Sequence, residues 1–113
     1  MDTKYFEKIR IFDGGMGQEL LSKGLISKGT LWSASALIEK EFHKLVIDAH
    51  ISYINAGADI IVTNNFSARK IRFIQNKVLD KFQYANEQAG ILANKAREIS
   101  KQNILIAGSL PSQ

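Results

Sequence analysis

Cysteine is absent from this chain of 113 residues, which excludes a disulfide framework and any thiolate metal site built within it. Long apolar runs are absent as well; no stretch approaches the ~20 residues needed to cross a bilayer. The first ten residues are charged and lack an apolar centre, so they do not form a secretory signal, and a cytoplasmic location is the expectation. Proline occurs once and glycine eight times, which argues against a linker-rich or disordered chain. What remains is 45% hydrophobic and 23% charged, the balance of an ordinary globular domain.

The net charge of +4 raises the question of nucleic acid. Basic residues are spread along the chain, with one tighter group at Arg69, Lys70 and Arg72. No aromatic-interleaved basic run or nucleic-acid motif accompanies it, so the group reads as solvated surface and no nucleic-acid partner is expected.

Hydrophobic patterning orders the chain as β-α-β-α-β. Ile-Arg-Ile-Phe at 9–12 is a short apolar run that breaks at Asp13-Gly14-Gly15, a strand followed by a turn. Met16 to Lys23 can form two helical turns, with Gly24 placed to stop them. Residues 25–32 read as a loop. Phe42, Leu45, Val46, Ala49, Tyr53 and Ile54 then recur at spacings of three and four, one apolar face of a helix that Gly57 is placed to cap. Asp59-Ile60-Ile61-Val62-Thr63 is apolar without alternation, which suits a strand buried on both faces of a parallel sheet. A second helix is expected over about 78–101, where Phe82, Ala85, Ala89, Leu92, Ala96 and Ile99 step by three and four; its alanines allow close approach to a sheet. Ile104 to Ala107 is another continuous apolar run. Such alternation implies parallel strands, and the elements are expected to form one incomplete domain over 1–113. Periodicity alone does not separate a barrel from an open doubly wound sheet.

In both architectures ligands bind beyond the C-terminal ends of the strands. That rule selects Asp13-Gly14-Gly15-Met16-Gly17, Thr63-Asn64-Asn65-Phe66 and Gly108-Ser109-Leu110-Pro111 as three segments able to line one cleft. Asp13, the only carboxylate among them, can accept hydrogen bonds from a ligand's ammonium group, or it can cap the short helix that follows. Gly14 and Gly15 permit close backbone approach, or merely make the turn. Asn64 and Asn65 can hold a carboxylate or amide, or end the strand. Phe66 can pack on a ligand or anchor its loop. The glycine spacing fits neither a phosphate loop nor a dinucleotide fingerprint. His43 and His50 lie seven apart on one helix, too far to share a zinc ion, and are expected at the surface or half-buried. Trp32 reads as an anchor.

Three stretches resemble the homocysteine S-methyltransferase family in order and spacing: Phe12-Asp13-Gly14-Gly15-Met16-Gly17-Gln18-Glu19-Leu20, Leu31-Trp32-Ser33-Ala34, and Ala56 to Phe66 (AGADIIVTNNF). Ala107-Gly108-Ser109-Leu110-Pro111 looks like the family's third-strand segment. The resemblance runs from about Ile9 to Gln113 and implies the N-terminal portion of a zinc-dependent (β/α)8 TIM barrel, its first three strands and their helices. A full barrel takes roughly 250 residues, so this chain is expected to be part of a larger or split protein. In such enzymes a metal-bound homocysteine thiolate takes a methyl group from S-methylmethionine, S-adenosylmethionine, betaine or a methylfolate, giving methionine. Carried over position by position, Asp13 would hold the homocysteine amino group, Gly14 and Gly15 would give close approach, and Thr63 and Phe66 would line the pocket. Asn64 is placed with the second-strand end, and Gly108 and Ser109 at the pocket floor or rim. Gln18 stands where the family usually has Thr, and Asn65 where it often has Thr. The family's three zinc-ligating cysteines lie in the later half of the barrel, so no metal ligand and no turnover are expected of this chain alone. The competing expectation is a non-catalytic binding or assembly module that associates through exposed sheet edges.

Overall fold

The computed structural model describes residue 4 and residues 7–26, 31, 34–65 and 68–109. Trp32, Phe66 and the Leu110-Pro111 pair fall outside the described residues. The architecture is α/β with parallel strands. β1 (Ile60–Val62) pairs in parallel with β2 (Leu105–Ala107), in the register Ile60 to Leu105, Ile61 to Ile106 and Val62 to Ala107. On its other side Ile60 forms a single parallel bridge with Phe12. β1 is therefore central, and its Ile60 and Ile61 are buried, as its unbroken apolar run implies.

The strand expected over 9–12 is reduced to that one bridge. Ile11 is nevertheless tied down: its carbonyl accepts from Asp59 N (2.7 Å) and Ile60 N (3.1 Å), and its N–H donates to Asp59 Oδ2 (2.9 Å). What the segment lacks is burial. Ile9, Ile11 and Phe12 are 93%, 54% and 56% exposed, so their apolar side chains gain little from regular pairing.

Five helices are present among the described residues: α1 (Met16–Ser22), α2 (Ser35–Ile38), α3 (His43–Asn55), α4 (Lys70–Gln75) and α5 (Phe82–Ser100). Short 3-10 turns at Lys40–Phe42 and Leu79–Lys81 lead into α3 and α5. α2 and α4 are additions to the β-α-β-α-β reading; four and six residues are too few to show a helical period. α1 and α3 stop at the glycines expected to stop them. Gly24 and Gly57 are left-handed (φ 109° and 110°), and the next residue's N–H returns to a carbonyl five back: Leu25 to Leu20 (2.9 Å) and Ala58 to Tyr53 (3.0 Å).

The core has two parts. Leu20, Leu37, Val46, Ala49, Phe73, Ala85, Ala89 and Leu92 pack the helices on one another, with Phe73 edge-on to Phe82 at 5.5 Å. Ile54, Ala58, Ile61, Ala93, Ala96 and Ile104 pack α3 and α5 on the sheet. The alanines of α5 thus serve both interfaces. Ile99, expected on that buried face, is 61% exposed because the last turn of α5 runs past its packing.

Two further expectations are corrected. His50 is fully buried, not superficial, because α3 turns that side toward the core among Val46, Ala49 and Ile54; His43 is half-buried, with Nε2 2.8 Å from the Leu37 carbonyl. Of the basic group, Lys70 is exposed but Arg69 and Arg72 are half-buried, since the short helix α4 folds back over the core.

Candidate functional site

Parallel pairing puts the ends of Phe12, β1 and β2 on the same side of the sheet. The three segments selected from the sequence therefore meet. Asp13 follows the bridge at Phe12; its N–H donates to the Ile60 carbonyl (3.0 Å), and its Oδ2 accepts from Val62 N (3.1 Å). Thr63 follows β1 directly, and its Oγ1 accepts from Ser109 N (3.1 Å). Hydrogen bonds thus run from Asp13 to the end of β1 and from there to the end of β2. Gly108 is exposed and Ser109 half-buried.

Asp13 is half-buried and pairs with no cation among the described residues. Burial pushes its pKa up from the usual 3.8, against the opposing pull of the Val62 N–H and its own N–H. Its carboxylate is under-solvated, so an arriving cation would be bound more strongly than at an open surface. Asp13 does not cap α1: the residue preceding the helix is Gly15, which makes no side-chain cap.

The polar residues after β1 are turned to local work. Thr63 Oγ1 donates its proton to Asn65 Oδ1 (2.8 Å), so that hydroxyl has no second proton for a ligand. Asn65 Nδ2 donates to Asn86 Oδ1 (3.0 Å) and to the Ser109 carbonyl (3.3 Å). Asn86 Nδ2 donates in turn to the carbonyls of Phe82 (3.0 Å) and Ala68 (3.4 Å). This network ties the ends of β1 and β2 to the first turns of α5. Asn64 is buried at 3% exposure. Nothing in the sequence pattern selects Asn86. Its one signal is a polar amide beside Ala85 on the buried side of α5.

Tyr53 is legible in the sequence only as part of an apolar face. Its ring lies against Gly14, and its hydroxyl donates to the Gly15 carbonyl (2.9 Å). Burial raises its pKa, and the nearby carboxylates of Glu19 and Asp13 raise it further, so the phenol stays protonated and donating.

Among the described residues no group of three or more His, Cys, Asp or Glu is placed to hold a metal ion, and the chain has no cysteine.

A parallel α/β protein with hydrogen-bonded polar residues gathered at its strand ends is the class that fold and site define. The chain belongs to the homocysteine S-methyltransferase family, whose sequence profile it matches over residues 10–113. Homocysteine S-methyltransferase of Escherichia coli is 32% identical over 115 residues, covering 92% of this chain and 35% of that protein. Homocysteine S-methyltransferase 2 of Zea mays is 33% identical over 90 residues, covering 80% of this chain and 24% of that protein. The crystal structure of the homocysteine methyltransferase MmuM from Escherichia coli, in its metallated form, superposes with a TM-score of 0.80 at 28% identity, covering 96% of this chain and 40% of that one. The chain thus spans about a third or less of the length of the curated relatives.

Proposed function

We propose that the complete protein carrying these residues transfers a methyl group to the thiol of homocysteine, giving methionine, and that this chain supplies the part that holds the amino-acid end. In this reading the chain forms the first three strands of a (β/α)8 barrel and works in the cytoplasm. The observation that carries it is Asp13: a half-buried carboxylate at a strand end, with no cationic partner among the described residues and one oxygen fixed by Val62 N–H. The homocysteine ammonium group supplies the missing counter-charge. In this reading Gly14, Gly15, Gly108 and Ser109 border the substrate, Thr63 ties the strand ends together with Asn64 beside it, and Phe66 is assigned to the pocket lining by the family resemblance alone. The methyl donor is a small sulfonium, ammonium or methylated folate compound such as S-methylmethionine, S-adenosylmethionine, betaine or a methylfolate.

The chemistry is displacement at a methyl carbon by the homocysteine sulfur. A thiol of pKa about 8.5 is mostly protonated at neutral pH and must be deprotonated to attack. Residues outside this chain would hold the zinc that the family resemblance implies, since the cysteines it uses are absent from these 113 residues. Holding the amino-acid end by a charge-assisted hydrogen bond fixes where the sulfur lies relative to the donor, and orientation of that kind contributes strongly to such a step.

The test compares the complete protein with its Asp13→Asn variant, measuring the S-methylated product formed from each of two thiols: homocysteine, which gives methionine, and the analogue that lacks only the amino group, which gives the corresponding thioether acid. The parent should favour homocysteine strongly. Asp13→Asn should lose roughly 2–5 kcal/mol in kcat/KM for homocysteine, the cost of truncating one partner of a desolvated charge pair, and most of its preference over the analogue. Asn still accepts from Val62 N–H, and the raised pKa of Asp13 means that its ionised form is disfavoured by the fold. The variant should therefore melt at or above the parent's temperature at pH 7. A marked fall in melting temperature, or an unaltered preference for homocysteine, would show that Asp13 serves the fold instead.

A further inference from the structure

We propose that Tyr53 is the positioning residue of this site: its ring dictates a glycine at position 14, and its hydroxyl clamps the turn that presents Asp13. The proposal rests on the reading of Asp13 given above.

The glycines of the Asp13-Gly14-Gly15 turn have different reasons to be glycine. Gly14 does not have a left-handed φ, so backbone freedom does not demand it. A Cβ at Gly14 would instead lie 2.9 Å from Tyr53 Cε1 and from its hydroxyl oxygen, and 3.1 Å from Cζ. The aromatic ring occupies the space of the missing side chain, and its end is held by the bond to the Gly15 carbonyl, so it cannot easily swing aside. Gly15 is the opposite case. Its φ of −69° and ψ of 116° suit any residue, and a Cβ there would meet nothing within 4 Å. The fold leaves room beside Gly15 and none beside Gly14.

The anchoring of the turn is asymmetric. Upstream, Asp13 is fixed to β1 through its N–H and Oδ2. Downstream, the Gly15 carbonyl receives the Tyr53 hydroxyl at 2.9 Å and the Glu19 N–H at a longer 3.4 Å. Tyr53 is thus the stronger downstream tether, delivered from the last turns of α3, a helix packed on the sheet through Ile54. Without the hydroxyl the turn keeps its ring contact but gains freedom between Asp13 and Gly15. That freedom reaches the amino-acid end of the substrate and not the methyl donor.

Five variants of the complete protein test this. Tyr53→Phe keeps the ring and removes the tether. It should raise the KM for homocysteine by about 3–10-fold, the usual worth of one neutral hydrogen bond, and leave the KM for the methyl donor unchanged. Gly14→Ala should lower the melting temperature by several degrees. Gly14→Ala combined with Tyr53→Ala should recover most of the loss specific to position 14, measured against Tyr53→Ala alone, whereas Gly14→Ala combined with Tyr53→Phe, which loses the hydroxyl contact and its tether but keeps the ring carbons, should recover less. The melting comparison needs no substrate, so the steric part is judged even if the protein makes no methionine and the functional reading falls. An equal penalty for Gly14→Ala in all three backgrounds, or a homocysteine KM that Tyr53→Phe does not move in an enzyme that does make methionine, overturns the proposal.

Discussion

Asp13 and His50 are both withdrawn from water, and their pKa values move in opposite directions for one reason: burial disfavours the charged form of each. At Asp13 the disfavoured form is the one a cationic ligand rescues, so the penalty belongs to binding. At His50 no rescue is at hand. The ring is fully buried, neither nitrogen has a hydrogen-bond partner among the described residues, and desolvation lowers its pKa from 6.5 to about 4. The unfolded chain therefore binds a proton at His50 between about pH 6.5 and 4 while the folded chain does not. The stability that depends on a neutral His50 is complete above pH 6.5 and is lost progressively as pH falls toward 4. The loss amounts to roughly 3 kcal/mol, since each tenfold difference in proton affinity between the folded and unfolded chain is worth about 1.4 kcal/mol. His50→Leu, which cannot titrate, should flatten the denaturant-unfolding free energy across that window while leaving its value at pH 8 equal or higher. A parent profile already flat from pH 6.5 to 4 would mean that the ring finds a partner, such as a buried water.

At the scale of elements, the capping chemistry divides what the sequence discloses from what it hides. Gly24 and Gly57 announce the ends of α1 and α3, because a left-handed residue after a helix is usually glycine. α4 ends the same way, yet Lys77 occupies the left-handed position (φ 59°), with Val78 N–H returning to the Phe73 carbonyl at 2.9 Å. No glycine marks that stop, and six residues carry too little period to mark the helix itself. Lys77→Gly should stabilise the protein by about 0.5–1 kcal/mol, the left-handed cost less the extra entropy glycine loses on folding, read as a raised midpoint in urea with an unchanged slope. A lowered midpoint would mean that the lysine side chain makes a contact worth more than its strain. The long helices α3 and α5 and the strand β1 are legible because many residues agree on one period or one apolar run. The site is half legible. Strand-end position singles out Asp13, Thr63 and Ser109, which the structure joins by hydrogen bonds. Sequence spacing does not show that Tyr53 and Asn86 reach the same place, since each comes from a helix face whose turn toward the strand ends depends on packing.

For the whole molecule, the edge of the sheet at Phe12 carries one group of exposed apolar side chains, apart from scattered helix positions such as Leu21 and Ile99. β1 is covered on both sides by pairing, but Phe12 and β2 are its outer members, and Ile9, Ile11 and Phe12 keep most of their apolar surface in water. In the proposed barrel such edges meet further strands. In a solution of the 113-residue polypeptide alone they meet only one another, and exposed apolar edges are templates for pairing. The isolated polypeptide should therefore associate, its weight-average mass in sedimentation equilibrium rising with concentration. Ile11 offers the cleanest control. Its backbone N–H and carbonyl are already engaged by Asp59 and Ile60, so a change of side chain leaves those bonds in place. Ile11→Lys sets a charge on the edge at a side chain already more than half exposed, and should shift the association toward monomer with only a small change in melting temperature. A parent polypeptide that stays monomeric across the accessible range would show that these three side chains are tolerated in water, and that the edge, though apolar, is blunted by its lack of regular pairing beyond Phe12.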